Sequence, residues 1–164
     1  MIILGIDPGF AIVGYGIVEK TNTGTRVIDY GVITTHKDTP FPERLVQIDN
    51  AINQIIDTYH PDAMAMEELF FKNNITTCIQ VAEARGILML NSMKKIGNLY
   101  EYTPLQIKQA LTGNGRAEKA QVQYMVKAIL SLKSIPKPDD AADALAVALT
   151  HAQTNVTLSN TKIR

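Results

Sequence analysis

Four carboxylic acids stand at positions where an isolated charge is costly. Asp7 ends the first apolar run of the chain, and Glu67 ends a later one. Asp140 and Asp143 are three residues apart in an Ala-rich segment, so a helix there places both on one face, with Cβ atoms about 5–6 Å apart. Buried or mutually repelling carboxylates need a partner or a bound cation. These acids are therefore candidates for a metal site.

Such a site suits one kind of chemistry. Mg²⁺ prefers hard oxygen ligands, and two such ions about 3.5–4 Å apart can stabilise the attacking and leaving oxygens of a phosphoryl displacement. Simpler interpretations remain open, because Asp7 can cap a turn, Glu67 can lie exposed at a strand end, and Asp140 can favour a helix N-terminus. Asp143 is harder to explain, since Asp is a poor residue for a helix interior.

The elements that must position these acids are visible as changes of apolar period. Runs typical of strands occupy 2–7, 12–18, 27–35, 63–66 and 99–102. Apolar residues recur at helical spacing in 42–59, 75–95, 105–111, 118–132 and 139–152. Three strands joined by short turns predict an antiparallel meander, and the alternating helices and strands that follow predict parallel strands. Together they predict an α/β fold in which a five-stranded mixed sheet is flanked by helices.

Composition indicates one ordinary globular domain. The chain has 164 residues, of which 46% are hydrophobic and 20% charged. We predict a single domain over 1–153 and a polar, flexible tail over 154–164. The single cysteine, Cys78, excludes an internal disulfide framework, and no apolar run is long enough for a membrane span. A cytoplasmic protein with no membrane partner is therefore expected.

Charge is unevenly distributed along the chain. Residues 1–68 contain four basic and ten acidic residues, whereas 69–164 contain twelve basic and six acidic residues. This split suggests a polyanionic partner for the second half, although solvated helix faces produce the same pattern. Phe70 and Phe71 precede Lys72 in a polar loop, where a ring can stack on a base or pack into the core.

Several motifs occur together and in a fixed order. They are Gly5-Ile6-Asp7-Pro8-Gly9, Glu67-Glu68-Leu69-Phe70-Phe71, Ala84-Arg85-Gly86, Thr112-Gly113-Asn114-Gly115-Arg116-Ala117-Glu118-Lys119 and Asp140-Ala141-Ala142-Asp143-Ala144-Leu145-Ala146. From about Met1 to His151 the chain resembles the RuvC family of crossover-junction endodeoxyribonucleases, the bacterial Holliday-junction resolvases. One departure is Ala82-Glu83, where the family usually has Gly-Gln, and it affects helix packing and nearby DNA contacts rather than the chemistry.

The resemblance implies a ribonuclease-H-like fold and a Mg²⁺-dependent endonuclease of recombination and DNA repair that makes paired symmetric nicks in four-way junctions. It implies two Mg²⁺ ions per site, with Mn²⁺ able to substitute, and a homodimer that works with the RuvA and RuvB branch-migration proteins. The family's four metal-binding catalytic acids correspond to Asp7, Glu67, Asp140 and Asp143.

The resemblance also implies which residues contact DNA. Phe70 matches an aromatic residue that the family inserts at the junction, and Lys108 and Lys119 match lysines near the DNA backbone. We add Lys72 beside the aromatic pair, and Arg116 in the Gly-rich turn, where a phosphate can approach closely.

A dimer surface is predicted from one helix. The stripe Ile75-Ile79-Ala82-Gly86-Leu90-Met93 is apolar with a gap of small residues, and it packs either on a second copy or on the chain's own sheet.

Three other functions are alternatives to a DNA endonuclease. A sugar-kinase or actin-like ATPase shares the first motif but needs a duplicated domain. A ribonuclease-H-like nuclease acting on RNA, and a catalytically inactive junction-binding module, are the remaining alternatives. The segment from Thr112 to Lys119 argues against the RNA nuclease, and the presence of all four acids argues against the inactive module.

Overall fold

The structure, a computed structural model, describes residues 1–69 and 75–154. Within these residues, the strands are β1 (Ile2–Asp7), β2 (Ile12–Lys20), β3 (Thr25–Thr34), β4 (Ala63–Glu67) and β5 (Leu99–Tyr102). The helices are α1 (Phe41–Tyr59), α2 (Ile75–Lys95), α3 (Pro104–Thr112), α4 (Lys119–Ile129) and α5 (Asp139–Gln153). Every element predicted from the sequence is present, and the differences are confined to element ends.

The strands form one mixed sheet in the order β3-β2-β1-β4-β5. β1 pairs antiparallel with β2, and β2 pairs antiparallel with β3, which is the predicted meander. β4 pairs parallel with β1, and β5 pairs parallel with β4, because α1 and α2 carry the chain back across the sheet. The predicted fold class is confirmed.

The alternation of side chains along β1 and β4 decides which way the acids point. Leu4 and Ile6 on β1, with Met64 and Met66 on β4, are buried in a core beneath α1 and α2. Their odd-numbered neighbours face the opposite core, which is built around α5. Asp7 and Glu67 continue the odd-numbered series, so both carboxylates lie on the α5 side of the sheet.

Small residues allow α5 to lie unusually close to the sheet. A Cβ atom on Gly5 would stand 2.2 Å from the carbonyl oxygen of Ala144, and one on Gly14 would stand 2.0 Å from that of Asp140. Any side chain at these positions would push the helix away. Gly14 pairs with Asp7 in the β1–β2 register, so this contact fixes the start of α5 beside the end of β1.

A buried polar contact connects the other end of α5 with β5. His151 is 1% exposed, and its Nδ1 lies 2.8 Å from the hydroxyl oxygen of Tyr102. The ring of His151 also packs on Tyr100, with 4.3 Å between ring centroids. His36 and His60 are exposed at the surface, whereas His151 packs inside the protein.

Acid is expected to destabilise the protein through His151. Burial, with a smaller contribution from Lys20, lowers the pKa of His151 from 6.5 to about 4. The unfolded chain therefore takes up a proton first as the pH falls. The free energy of unfolding therefore contains a contribution from neutral His151 that is fully present above pH 6.5. This contribution, of up to about 3 kcal/mol, is lost between pH 6.5 and 4. Urea unfolding at pH 7.5 and 4.5 measures this loss. His151→Gln should lose less stability than wild type, and an equal loss in both proteins would contradict the assignment.

None of the described helices is long and apolar enough to cross a membrane. α5 ends at Gln153, and residues 155–164, which contain most of the predicted tail, lie outside the described residues. The predicted domain boundary at residue 153 stays a prediction.

Candidate functional site

The four predicted acids approach one another at the carboxyl ends of β1 and β4. Ile6 pairs with Met66 across the parallel strands, which makes Asp7 and Glu67 neighbours at the same edge of the sheet. Asp140 and Asp143 lie in the first turns of α5, which the contact with Gly14 holds against this edge. Residues separated by more than 130 positions in the sequence therefore meet because of the strand order and the close approach of α5.

The acids repel one another strongly. The pKa of Asp7 is raised to about 7, first by burial and then by the charges of Glu67, Asp143 and Asp140. Burial also raises the pKa of Glu67 and that of Asp143, and the charge of Asp143 adds to the shift at Glu67. A cluster in which burial and mutual repulsion raise the pKa of three carboxylic acids is one that a multivalent cation would stabilise in its ionised form.

One lysine lies inside this acidic cluster. Lys119, the first residue of α4, donates from Nζ to Oδ2 of Asp143 at 2.8 Å, and its Nζ lies 3.6 Å from Asp139. Partial burial opposes the charge of this lysine, but the hydrogen bond and charge of Asp143 raise its pKa overall. The sequence predicted a phosphate contact for Lys119 and gave no signal of this ion pair, because the two residues lie on different helices.

Two clefts open on either side of Glu67. One, of about 260 Å³, lies between α3, α4 and α5 and is lined by Glu67, Lys108, Lys119 and Asp143. The other, of about 380 Å³, lies towards α2 and includes Asp7, Glu67 and Cys78 in its lining. An extended strand of a polymer can thus pass the acids without entering a closed pocket.

The donor set fits divalent cations by its chemistry, since Mg²⁺ and Mn²⁺ select carboxylate oxygens. In the part of the chain that the structure describes, however, no group of three or more His, Cys, Asp and Glu side chains is arranged to hold a metal ion. Lys119 instead neutralises Asp143.

The predicted DNA contacts fall into two groups. Phe70, Phe71 and Lys72 lie outside the described residues, so the prediction that Phe70 rather than Phe71 contacts DNA stays a prediction. Lys108 and Lys119 line the cleft beside the acids, and Arg116 is exposed in the turn between α3 and α4. Lys108 and Lys119 therefore place positive charge beside the carboxylates.

The outer face of α2 is apolar and exposed. Ile79, Leu90 and Met93 are each about half exposed, at 54%, 49% and 52%. A Cβ on Gly86 would meet no atom within 4 Å. Ala84 and Leu88, which the predicted stripe omits, face the core instead. The described part of the predicted stripe therefore does not pack on the chain's own sheet.

Comparison with known proteins gives a consistent result. Residues 3–151 match the family model described as Crossover junction endodeoxyribonuclease RuvC. A protein of that name from Clostridioides difficile (strain 630) is 55% identical over 155 residues, which cover 94% of this chain and 92% of the relative. Another protein of that name, from Petrotoga mobilis (strain DSM 10674 / SJ95), is 53% identical over 151 residues, which cover 92% of this chain and 93% of the relative.

Solved structures agree with the sequence matches. The structure of T. thermophilus RuvC in complex with a Holliday junction substrate superposes with a TM-score of 0.93 at 35% identity, covering 99% of each chain. The yeast mitochondrial Holliday junction resolvase Ydc2 superposes with a TM-score of 0.68 at 16% identity, covering 92% of this chain and 77% of that chain. The second likeness is one of fold alone.

Proposed function

This chain belongs to the RuvC family of crossover junction endodeoxyribonucleases, and we propose from that membership that it resolves four-way DNA junctions in recombination and repair. The observation that carries the proposal is the meeting of Asp7, Glu67, Asp140 and Asp143 at one open edge of the sheet. Metal-assisted phosphodiester hydrolysis uses such a concentration of negative charge to hold cations against a polyanion. No feature of the described site favours a kinase, an RNA nuclease or an inactive binding module.

We propose that the four acids bind two divalent cations, Mg²⁺ in the cell, with Mn²⁺ able to substitute. When bound, these cations supply charge stabilisation to the attacking and leaving oxygens. The protein's own contribution is to hold Asp7 and Glu67 on adjacent strands and the other two acids on α5. Lys119 and Lys108 flank the acids, where they can attract a phosphate into the cleft.

A substrate panel tests this function directly. Purified protein is incubated with a four-way DNA junction, linear duplex DNA, RNA and ATP, each with and without Mg²⁺. We expect cleavage of the junction alone, in two symmetric strands, and only when Mg²⁺ is present. Hydrolysis of RNA or ATP in preference to the junction, or junction cleavage in excess chelator, would contradict the proposal.

The proposal includes a homodimer and its partners. A junction with two-fold symmetry suits a two-fold enzyme, and the exposed apolar face of α2 is the surface we assign to the second copy. From the family assignment we further propose that the protein is cytoplasmic and works with the RuvA and RuvB branch-migration proteins.

Lysine substitutions should separate phosphate binding from catalysis. We expect Lys108→Ala and Lys119→Ala to weaken junction binding, and each to reduce the salt dependence by about one unit of slope for the lost phosphate contact. Junction affinity at several salt concentrations, with the acids unloaded in EDTA, measures the slope. Lys94→Ala is the matched control, because Lys94 is exposed at the end of α2. A slope equal to that of wild type for both variants would contradict a phosphate role.

Phe70 should act on the cleavage rate rather than on affinity. A ring that stacks on an opened base positions the strand, and a misplacement of about 1 Å can cost on the order of 100-fold in rate. We expect Phe70→Ala to cleave slowly and to bind the junction almost normally. Loss of ~3–5 kcal/mol of stability, with cleavage reduced only in proportion to folded protein, would instead show that Phe70 packs in the core.

A further inference from the structure

The most unusual buried group outside the acidic cluster is the guanidinium of Arg44. This side chain, in the second turn of α1, is 7% exposed, yet no carboxylate of the described residues forms an ion pair with it. A buried cation without a counter-ion is costly and needs compensating hydrogen bonds. The partners that it does have are therefore informative.

The partners of Arg44 are Phe10, in the segment that follows Asp7, and Thr35, which is hydrogen-bonded to that segment. Arg44 donates from Nε to Oγ1 of Thr35 at 2.8 Å and from Nη2 to the carbonyl oxygen of Phe10 at 3.4 Å. Its guanidinium also lies 4.6 Å from the centroid of the Phe10 ring. Thr35 donates its own hydroxyl to the same Phe10 carbonyl at 2.6 Å.

These contacts hold the short connection between β1 and β2 in place. Residues 8–11 join β1 to β2, and a Cβ on Gly9 would stand 2.1 Å from the carbonyl oxygen of Ile12. The amide of Thr35 donates to the carbonyl oxygen of Ala11 at 3.0 Å, which holds the far end of the connection to β3. Arg44 adds α1 to this arrangement, so the backbone only three residues beyond Asp7 is fixed to both a strand and a helix.

We propose that Arg44 is a positioning residue for the cleavage reaction, which fixes the connection after β1 and through it the carboxylate of Asp7. The inference rests on the proposed role of Asp7. It assigns to Arg44 neither contact with the substrate nor attraction of phosphate. This role requires the planar guanidinium of arginine, because its Nε and Nη2 donate to two different acceptors at once.

The test uses Arg44→Met and Arg44→Lys in the full chain. Methionine has a similar length and removes the buried charge, so we expect it to fold. Arg44→Met should lower the single-turnover cleavage rate by about 10- to 100-fold and leave junction affinity in EDTA unchanged. Arg44→Lys should not restore the rate, because an ammonium group lacks the planar arrangement of donors that reaches both Thr35 and Phe10. Thr35→Val should lower the rate as well, and the double variant should lose less than the product of the two single losses.

A second measurement does not depend on cleavage. The rise in Tm on titration with Mg²⁺ reports metal binding to the acids, and Arg44→Met should shift its midpoint to several-fold higher concentration. Arg26→Met is the control, because Arg26 lies exposed on β3 and pairs with Glu19. We expect Arg26→Met to leave both the rate and the Mg²⁺ midpoint at wild-type values.

Three results would overturn the proposal. The first is a wild-type cleavage rate and Mg²⁺ midpoint for Arg44→Met. The second is a rate reduced only in proportion to the folded fraction. The third is weakened junction binding that Arg44→Lys restores, which would make Arg44 a phosphate contact. If the wild-type protein itself fails to cleave junctions, the proposed function fails, and the Mg²⁺ midpoints still decide the role of Arg44.

Discussion

Asp7→Asn is expected to abolish junction cleavage, by on the order of 1,000-fold or more, while junction binding is retained. Asp7 lies at the centre of the acidic cluster, where burial and the charges of three other acids raise its pKa to about 7. An amide has nearly the same shape but one less anionic oxygen for a cation. Loss of a negative charge does not weaken attraction to a polyanion, so affinity should stay the same or increase.

The experiment compares single-turnover cleavage with junction affinity in the same preparations. Asp57→Asn is the matched control, because Asp57 is an exposed acid of α1 paired with Lys95. The control should cleave and bind as wild type does. Asp7→Asn should melt at or above the wild-type temperature in EDTA at pH 8, since it removes an ionised group whose pKa is raised by folding. A near wild-type rate at saturating Mg²⁺ would contradict the catalytic assignment of Asp7.

Much of this site could be predicted because its acids interrupt patterns that are local in sequence. Asp7 and Glu67 each end an apolar run. Asp140 and Asp143 share a helix face through their spacing of three residues. These features need no knowledge of distant contacts. The strand order of the sheet, and the parallel register of β1 with β4 that puts Asp7 and Glu67 on one face, are seen only in the structure.

The contacts that the sequence did not predict are those between separate elements. Lys119 and Asp143 look like two unrelated charges until α4 and α5 are packed together. Arg44 lies four residues before Ile48 and so shares the buried face of α1, but its partners Thr35 and Phe10 belong to other elements and are seen only in the structure. Periodicity can place a polar side chain on a buried face, but it does not show which groups lie against it there.

The departure at Ala82-Glu83 also becomes interpretable in the structure. Both residues are exposed on α2, on the same side as the half-exposed Ile79. The substitution therefore affects a surface that we assign to the second protomer and leaves the packing of Ala84 and Leu88 in the core unaltered. Its consequence should be found in the dimer rather than in the acidic cluster.

A charge on this face is expected to separate the proposed dimer and to uncouple the two nicks. Ile79, Leu90 and Met93 are large, apolar and half exposed, whereas fully burying such a side chain contributes roughly 1.5–3 kcal/mol. In a two-fold interface each substitution acts twice. Leu90→Glu should therefore raise the dimer dissociation constant by at least about 100-fold, which corresponds to about 3 kcal/mol.

Sedimentation or light scattering at micromolar concentration measures the dimer, and a supercoiled cruciform substrate distinguishes paired nicks from single ones. We expect Leu90→Glu to be monomeric and to release singly nicked product, because each acidic cluster then acts alone. Val46→Glu is the control, since Val46 is an exposed apolar residue of α1, at 58%, and lies outside α2. A dimeric Leu90→Glu that still makes paired nicks would show that the second copy binds elsewhere. A wild-type protein that stays monomeric even with junction DNA would remove the dimer altogether and leave the exposed face of α2 for a different partner.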